Sequence, residues 1–286
     1  MLLFDDVSTS GYHSKDFNMP ASYKWLATSV KMLAKLHAAS IIVEEKLSKK
    51  LGRTVRIDAE YPNAMIENLF KGTVTQSMPR SLCGFILSEA NQFQSSLSQD
   101  SLKEKVEAIC AKIHEHMKSD KIRNVLNHGD LWGANIMYKE DHDTGAASAY
   151  FIDFQMIRYA PPSLDLMFLI FVNADRSTRQ EHQADMIQLY HKELTEILTS
   201  YKIGICKAFS LDELVASCEE VKPIIVCMSL MYSRFLLMSK EQRQKVINPS
   251  RASDKKEQIT SNAEGPLISR IRGLMEDLLH ICEEMT

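Results

Sequence analysis

The residues most able to do chemistry lie between Val125 and Gln155. The first group reads Asn127-His128-Gly129-Asp130-Leu131-Trp132-Gly133-Ala134-Asn135-Ile136-Met137-Tyr138, and the second Tyr150-Phe151-Ile152-Asp153-Phe154-Gln155. One aspartate precedes an asparagine across a short loop, and a second aspartate ends an apolar run. A carboxylate in a loop can take the proton of an attacking hydroxyl, and Asp130 is the candidate for that role. An amide oxygen and a carboxylate suit a hard, hydrated cation such as Mg²⁺; Asn135 and Asp153 are the candidates. A base and a magnesium site together point to phosphoryl transfer, where the protein mainly positions groups and stabilises charge.

The intervening sequence explains how these groups would meet. Ile136-Met137-Tyr138 reads as a strand, Asp141-His142-Asp143-Thr144-Gly145 as a turn, and Ala149-Tyr150-Phe151-Ile152 as the returning strand. Such a hairpin returns Asp153 to the side of Asn135. The spacing is that of a kinase catalytic loop and metal-binding aspartate, with Gly129 in place of the usual arginine and Gln155 in place of the usual glycine. A plain hairpin with solvated acids at its ends is the alternative.

The strings HGDLWGANIM and YFIDFQ resemble the ecdysteroid kinase-like family, also called CHK kinase-like, whose relatives include choline kinase and aminoglycoside phosphotransferases. The resemblance extends from Leu2 to the C-terminal helix. It implies a two-lobed kinase-like fold and ATP- and Mg²⁺-dependent phosphorylation of a small-molecule alcohol, either ecdysteroid-like or a xenobiotic. By the same resemblance, His128 and Asp165 support the site, and Leu2–Val7 is the hinge strand, where the backbone at Phe4 and Asp5 would meet adenine. The portion that the family places before the hinge, with its phosphate-covering loop and lysine, is absent from this sequence, and neither Gly-x-Gly-x-x-Gly nor Gly-x-x-x-x-Gly-Lys occurs. The expectation is therefore an α+β, mostly α domain over residues 1–286: a kinase-like C-terminal lobe with a hairpin at 136–154. It would be a phosphotransferase or its catalytic lobe, or else a non-catalytic remnant that binds a ligand or partner.

Composition sets the outer limits. The 286 residues are 45% hydrophobic and 25% charged, enough for a sizeable core. A net charge of -3 gives no basic footprint for nucleic acid. The six cysteines form no Cys-x-x-Cys pair, which favours reduced thiols and a cytoplasmic setting over zinc or disulfides. Asp5 and Asp6 follow Met1-Leu2-Leu3-Phe4 too soon for a signal peptide. The longest apolar runs, Met167–Val172 and Ile224–Tyr232, are too short to span a bilayer.

The rest reads as helices. One starts at Asn18-Met19-Pro20 and ends near His37–Ser40, its apolar face carrying Leu26, Val30, Leu33 and His37. His37 there reads as a hydrogen-bonded core residue. Lys46 to Arg56 reads as a solvated basic face and loop. Stripes at Ile86-Ala90-Phe93-Leu97, Leu102-Val106-Ile109-Ile113-Met117 and Ile187-Tyr190-Leu194-Ile197 are core faces. His114 and His116, flanking Glu115, read as exposed. Leu211–Met238 makes one or two helices, with Pro223 marking where a break would fall. Arg243–Gly265 reads as a loop, and Leu267-Ile271-Leu274-Leu278-Ile281 as the closing amphipathic helix.

Overall fold

The computed structural model describes residues 6–65, 83–91, 93, 95–112, 121–141, 143–238 and 265–285. The architecture is α+β and mostly helical. The helices are α1 (Tyr23–Leu51), α2 (Ile57–Glu60), α3 (Gln99–Ala111), α4 (Pro162–Asn173), α5 (Arg176–Ser200), α6 (Leu211–Leu237) and α7 (Pro266–Glu284); residues 83–90 are also helical. Strands β1 (His13–Ser14), β3 (Ile136–Glu140) and β4 (Ala147–Phe151) form an antiparallel sheet in the order β1-β3-β4. Strands β2 (Val125–Asn127) and β5 (Arg158–Ala160) form a second antiparallel pair.

Helix α4 is the hub of the packing. All twelve of its residues are buried, so it is apolar all round, as a helix enclosed on every side must be. It lies against α1, α5, α6 and β2. Around it, α1 packs on α5, and α7 packs on α6. Two unbranched layers would leave one face of each helix wet; this arrangement instead gives one continuous core from Leu26 in α1 to Leu278 in α7.

Helix α1 begins later and ends later than its sequence pattern suggests. Pro20 lies outside it. The N-cap is Ser22, whose hydroxyl accepts from the Trp25 N–H at 3.3 Å, and Ala21 N–H is already given to the Asn173 carbonyl at 2.8 Å. The helix then passes His37–Ser40, because Ile41, Ile42 and Glu44 continue its buried face and no breaker intervenes. It stops at Gly52, which takes the left-handed conformation that glycine adopts freely. The basic residues Lys46, Lys49, Lys50, Arg53 and Arg56 are exposed, as a solvated face requires, with Arg53 paired to Glu60 and Arg56 to Asp58. Helix α1 has the length and apolar composition to cross a membrane, but 56% of its most apolar stretch is buried inside the protein. The apolar runs in α4 and α6 are likewise parts of the core.

Helix α6 is a single helix through Pro223. Proline costs an internal hydrogen bond, but Val221, Ile224 and Ile225 on either side are fully packed, and that burial carries the helix across. Its start is fixed by a capping box between Ser210 and Glu213. The helix around Ile86 is shorter than its stripe, since Phe93 and Leu97 follow it in irregular chain. Leu102, Val106 and Ile109 are buried in α3, as are Ile187, Tyr190 and Leu194 in α5 and Leu267, Ile271, Leu274 and Leu278 in α7. Ile113, His114, His116, Met117 and the stretch from Arg243 to Glu264 lie outside the described residues. All six cysteines are free thiols, five buried and Cys206 exposed.

Leu166, wholly buried at the centre of α4, tests this packing. Leu166→Ala is expected to lower unfolding stability by about 2–5 kcal/mol, measured as a shift of the urea midpoint at unchanged slope.

Candidate active site

The loop after β2 carries Asp130, and its path is set by contacts on three sides. From behind, the Asp165 carboxylate of α4 accepts the backbone N–H groups of His128 at 2.6 Å and Gly129 at 2.9 Å. From the 3-10 turn at Phe154–Met156 and the start of β5, Met156 and Arg158 press on Gly129. A Cβ there would come within 2.2 Å of the Met156 carbonyl oxygen, and φ is +82°. Only glycine meets both demands. From the end of α4, Asn173 gives its amide N–H groups to the carbonyls of Leu131 at 2.9 Å and Leu169 at 2.8 Å.

His128 joins the loop to the hairpin. Its Nδ1 accepts the Asp130 N–H at 3.3 Å, so Nε2 carries the proton and donates to the Ile152 carbonyl at 2.9 Å. Its ring meets Phe154 at a centroid distance of 4.5 Å and Phe151 at 5.8 Å. Strand register does the rest. Ile136 pairs with Phe151, the Ile152 N–H donates to the Asn135 carbonyl at 3.0 Å, and Asp153 is the next residue. The turn between the strands is closed by Asp141, whose carboxylate accepts from the N–H groups of Asp143 and Thr144 at 3.0 Å each.

Within this frame Asp130 is buried and its two carboxylate oxygens have different partners. Oδ2 accepts from Asn135 Nδ2 at 2.9 Å, and Oδ1 accepts from the Tyr232 hydroxyl of α6 at 2.7 Å. Burial raises its pKa above the usual carboxylate value, helped by the nearby charge of Asp153; Tyr232, His128 and Asn135 pull the other way without cancelling it. Asp153 is exposed and held at φ +64°, ψ +65°. That left-handed geometry is uncommon outside glycine but accessible to aspartate. Among the described residues, its Oδ2 accepts a single 3.3 Å hydrogen bond, from Gln155.

The donor set fits a magnesium ion. Asn135 Nδ2 is engaged with both the carbonyl and the carboxylate of Asp130 at 2.9 Å, so the oxygen is the end of that amide left for a cation. Asp153 adds an exposed carboxylate. Among the described residues no three His, Cys, Asp or Glu side chains are grouped to hold a metal ion; an amide oxygen and a carboxylate are hard oxygen donors, the kind that suits Mg²⁺. Phe4 and Asp5 lie outside the described residues. Of the expected hinge strand only its end is described: Asp6 caps a 3-10 helix that starts at Val7, with its carboxylate accepting from Ser8 N–H, so Val7 is not in a strand.

A model of the ecdysteroid kinase-like family matches residues 1–203. The chain belongs to that family. In the ecdysteroid kinase-like chain described here, the loop and hairpin fall inside the matched segment, and α6 and α7 lie beyond it. A solved structure of a Plasmodium vivax ethanolamine kinase is also similar, at 14% identity and a TM-score of 0.46, over 98% of this chain and 65% of that one. No curated protein matches. The chain thus spans less than two thirds of that kinase's length.

Two residues of the site had no local signal in the sequence. Tyr232 is 102 positions from Asp130, inside an apolar helix where a tyrosine reads as core. Asn173 ends the apolar run of α4, and its only hint is being polar there. Trp132 is half-buried and packs on Phe17 at 5.4 Å between ring centroids. His37 is wholly buried; its Nδ1 lies 2.6 Å from the Tyr190 hydroxyl and its Nε2 3.5 Å from Asp165. Burial and the Asp165 charge push the Tyr190 phenol well up, so it keeps its proton and donates to Nδ1. Nε2–H then faces Asp165.

Asp165 is entirely buried. Burial alone would raise its pKa, but His37, the His128 ring nearby and the Gly129 N–H outweigh it, and the net displacement is below the ordinary 3.8. A depressed folded value means that this carboxylate contributes its full stability above about pH 4 and loses it as the pH falls through the lower folded value. Asp165→Asn should therefore cost about 2–5 kcal/mol at neutral pH and flatten the loss of stability below pH 4, followed by urea unfolding across an acid series. Gly129→Ala should disorder the loop, read as lost amide protection at His128–Asp130 by hydrogen exchange.

Proposed function

We propose that the chain is an ATP-dependent phosphotransferase acting on a small-molecule alcohol of the ecdysteroid class, or the catalytic lobe of one. The observation that carries this reading is the pairing at Asp130: a buried carboxylate held by Asn135, with the Asp153 charge close enough to raise its pKa. Burial with a raised pKa suits a group that must accept a proton and release it again. Membership of the ecdysteroid kinase-like family supplies the reaction class.

In this mechanism the acceptor hydroxyl approaches Asp130, which orients it and takes its proton as the oxygen attacks the γ-phosphorus in line, and the bond from that phosphorus to the β,γ-bridging oxygen breaks to release ADP. Asn135 and Asp153 would hold Mg²⁺, which neutralises charge on the phosphates when bound. Asp165 and His128 keep the loop at one depth, so the base does not drift from the line of attack. The wetter position of Asp153 suits a ligand that shares its ion with several waters. The uncrosslinked thiols fit a cytoplasmic protein.

Asp130→Ala should lower transfer of phosphate from γ-labelled ATP to ecdysone by about 10²–10⁴-fold while the circular-dichroism spectrum stays unchanged; full turnover would remove Asp130 from the mechanism. Mg-ATP at a hundred times its Kd should stabilise the chain by about 2.7 kcal/mol, read as a raised melting temperature, and Asp153→Ala should erase the magnesium-dependent part of that rise.

A further inference from the structure

We propose that Tyr232 is a positioning residue that fixes the Asp130 carboxylate for the acceptor hydroxyl. The proposal rests on the reading of Asp130 as the base. It is argued from the way the two oxygens of one carboxylate are shared out.

Asn135 holds Oδ2, and the oxygen of the same amide is the atom proposed above for the cation. Oδ1 is the other oxygen, and a hydroxyl kept apart from that cation would meet the carboxylate there. A single hydrogen bond to Oδ2 resists turning of the carboxylate about χ2 at one oxygen alone. The 2.7 Å bond from Tyr232 to Oδ1 stops that rotation. A carboxylate oxygen has two acceptor positions, so one remains for the substrate.

Tyr232 is itself well placed to act as a fixed donor. It comes from α6, an element separate from the loop and the hairpin, so it is an independent anchor. Its ring is wedged edge-on against Phe168 of α4 at 5.0 Å, and α4 is the buried hub that also supplies Asp165 and Asn173. Burial beside a carboxylate keeps the phenol protonated, pushing its pKa far above the usual tyrosine value. One helix, α4, thus sets the depth of the loop through Asp165 and the bearing of its base through Phe168 and Tyr232.

Tyr232→Phe keeps the ring and its packing and deletes only the hydroxyl. The expected result is a kcat for ecdysone phosphorylation lower by about tenfold to a hundredfold, the cost of slight misplacement of a reacting group, with KM for Mg-ATP unchanged. A melting cycle of Tyr232→Phe, Asp130→Ala and the double variant provides a second measurement that needs no turnover. Coupled residues give a double variant more stable than the two single losses predict. If Asp130→Ala is inactive but Tyr232→Phe keeps full kcat, or if the cycle is additive, the role of Tyr232 is overturned and the base stands. If Asp130→Ala keeps turnover, or the unaltered chain transfers phosphate to neither ecdysone nor water, the kinase reading falls, and the positioning role of Tyr232 falls with it.

Discussion

A carboxylate taken wholly out of water must be surrounded by donors or give up its charge, and Asp165 meets that constraint in the middle of this molecule. Among the described residues it has no arginine or lysine partner. It is instead enclosed by two backbone N–H groups of the loop and by the ring of His37, itself fixed by Tyr190. Satisfying it forces α1, α4, α5 and the loop after β2 to meet at one point. Any slack among these elements would leave a buried anion short of partners, at a cost of several kcal/mol. The loop is therefore held by the energetics of the core rather than by its own short length.

Asp130 lives under a milder version of the same rule. It is buried enough for its proton affinity to rise, yet both oxygens are hydrogen-bonded, so it is neither free to wander nor too well solvated to act as a base. Asp153 stands at the opposite limit, exposed and loosely bonded, on left-handed backbone two residues past the end of β4. Two carboxylates in neighbouring positions with such different surroundings suit a division of work between proton and cation.

The loop and hairpin were legible in the sequence because their logic is local. Asp130, Asn135 and Asp153 sit within a few residues of turns and strands whose patterns are read directly, and the register from Ile136 to Phe151 follows from the turn between them. The α+β class and most core faces were legible for the same reason of periodicity. The ends of α1 were not: Pro20 looked like a helix start, whereas Ser22 is the cap, and Gly52 rather than Ser40 is the stop. The continuity of α6 past Pro223 depends on burial against α4, a tertiary effect that outweighs propensity. Tyr232 and Asn173 reach the site from helices distant in the chain, and nothing beside them in sequence announces it. His37 was legible as core, but its link to Asp165 needs two helices brought together.

The distribution of thiols has a practical consequence. Five of the six are shut inside the helical layers, and Cys206 alone stands in solvent, in the short connection between α5 and α6. A maleimide dye applied to the native chain would thus attach at one place without any engineering, on the segment leading into the helix that bears Tyr232. Fluorescence from that dye would report whether this end of the domain responds when Mg-ATP or an alcohol is added, leaving the residues of the site untouched.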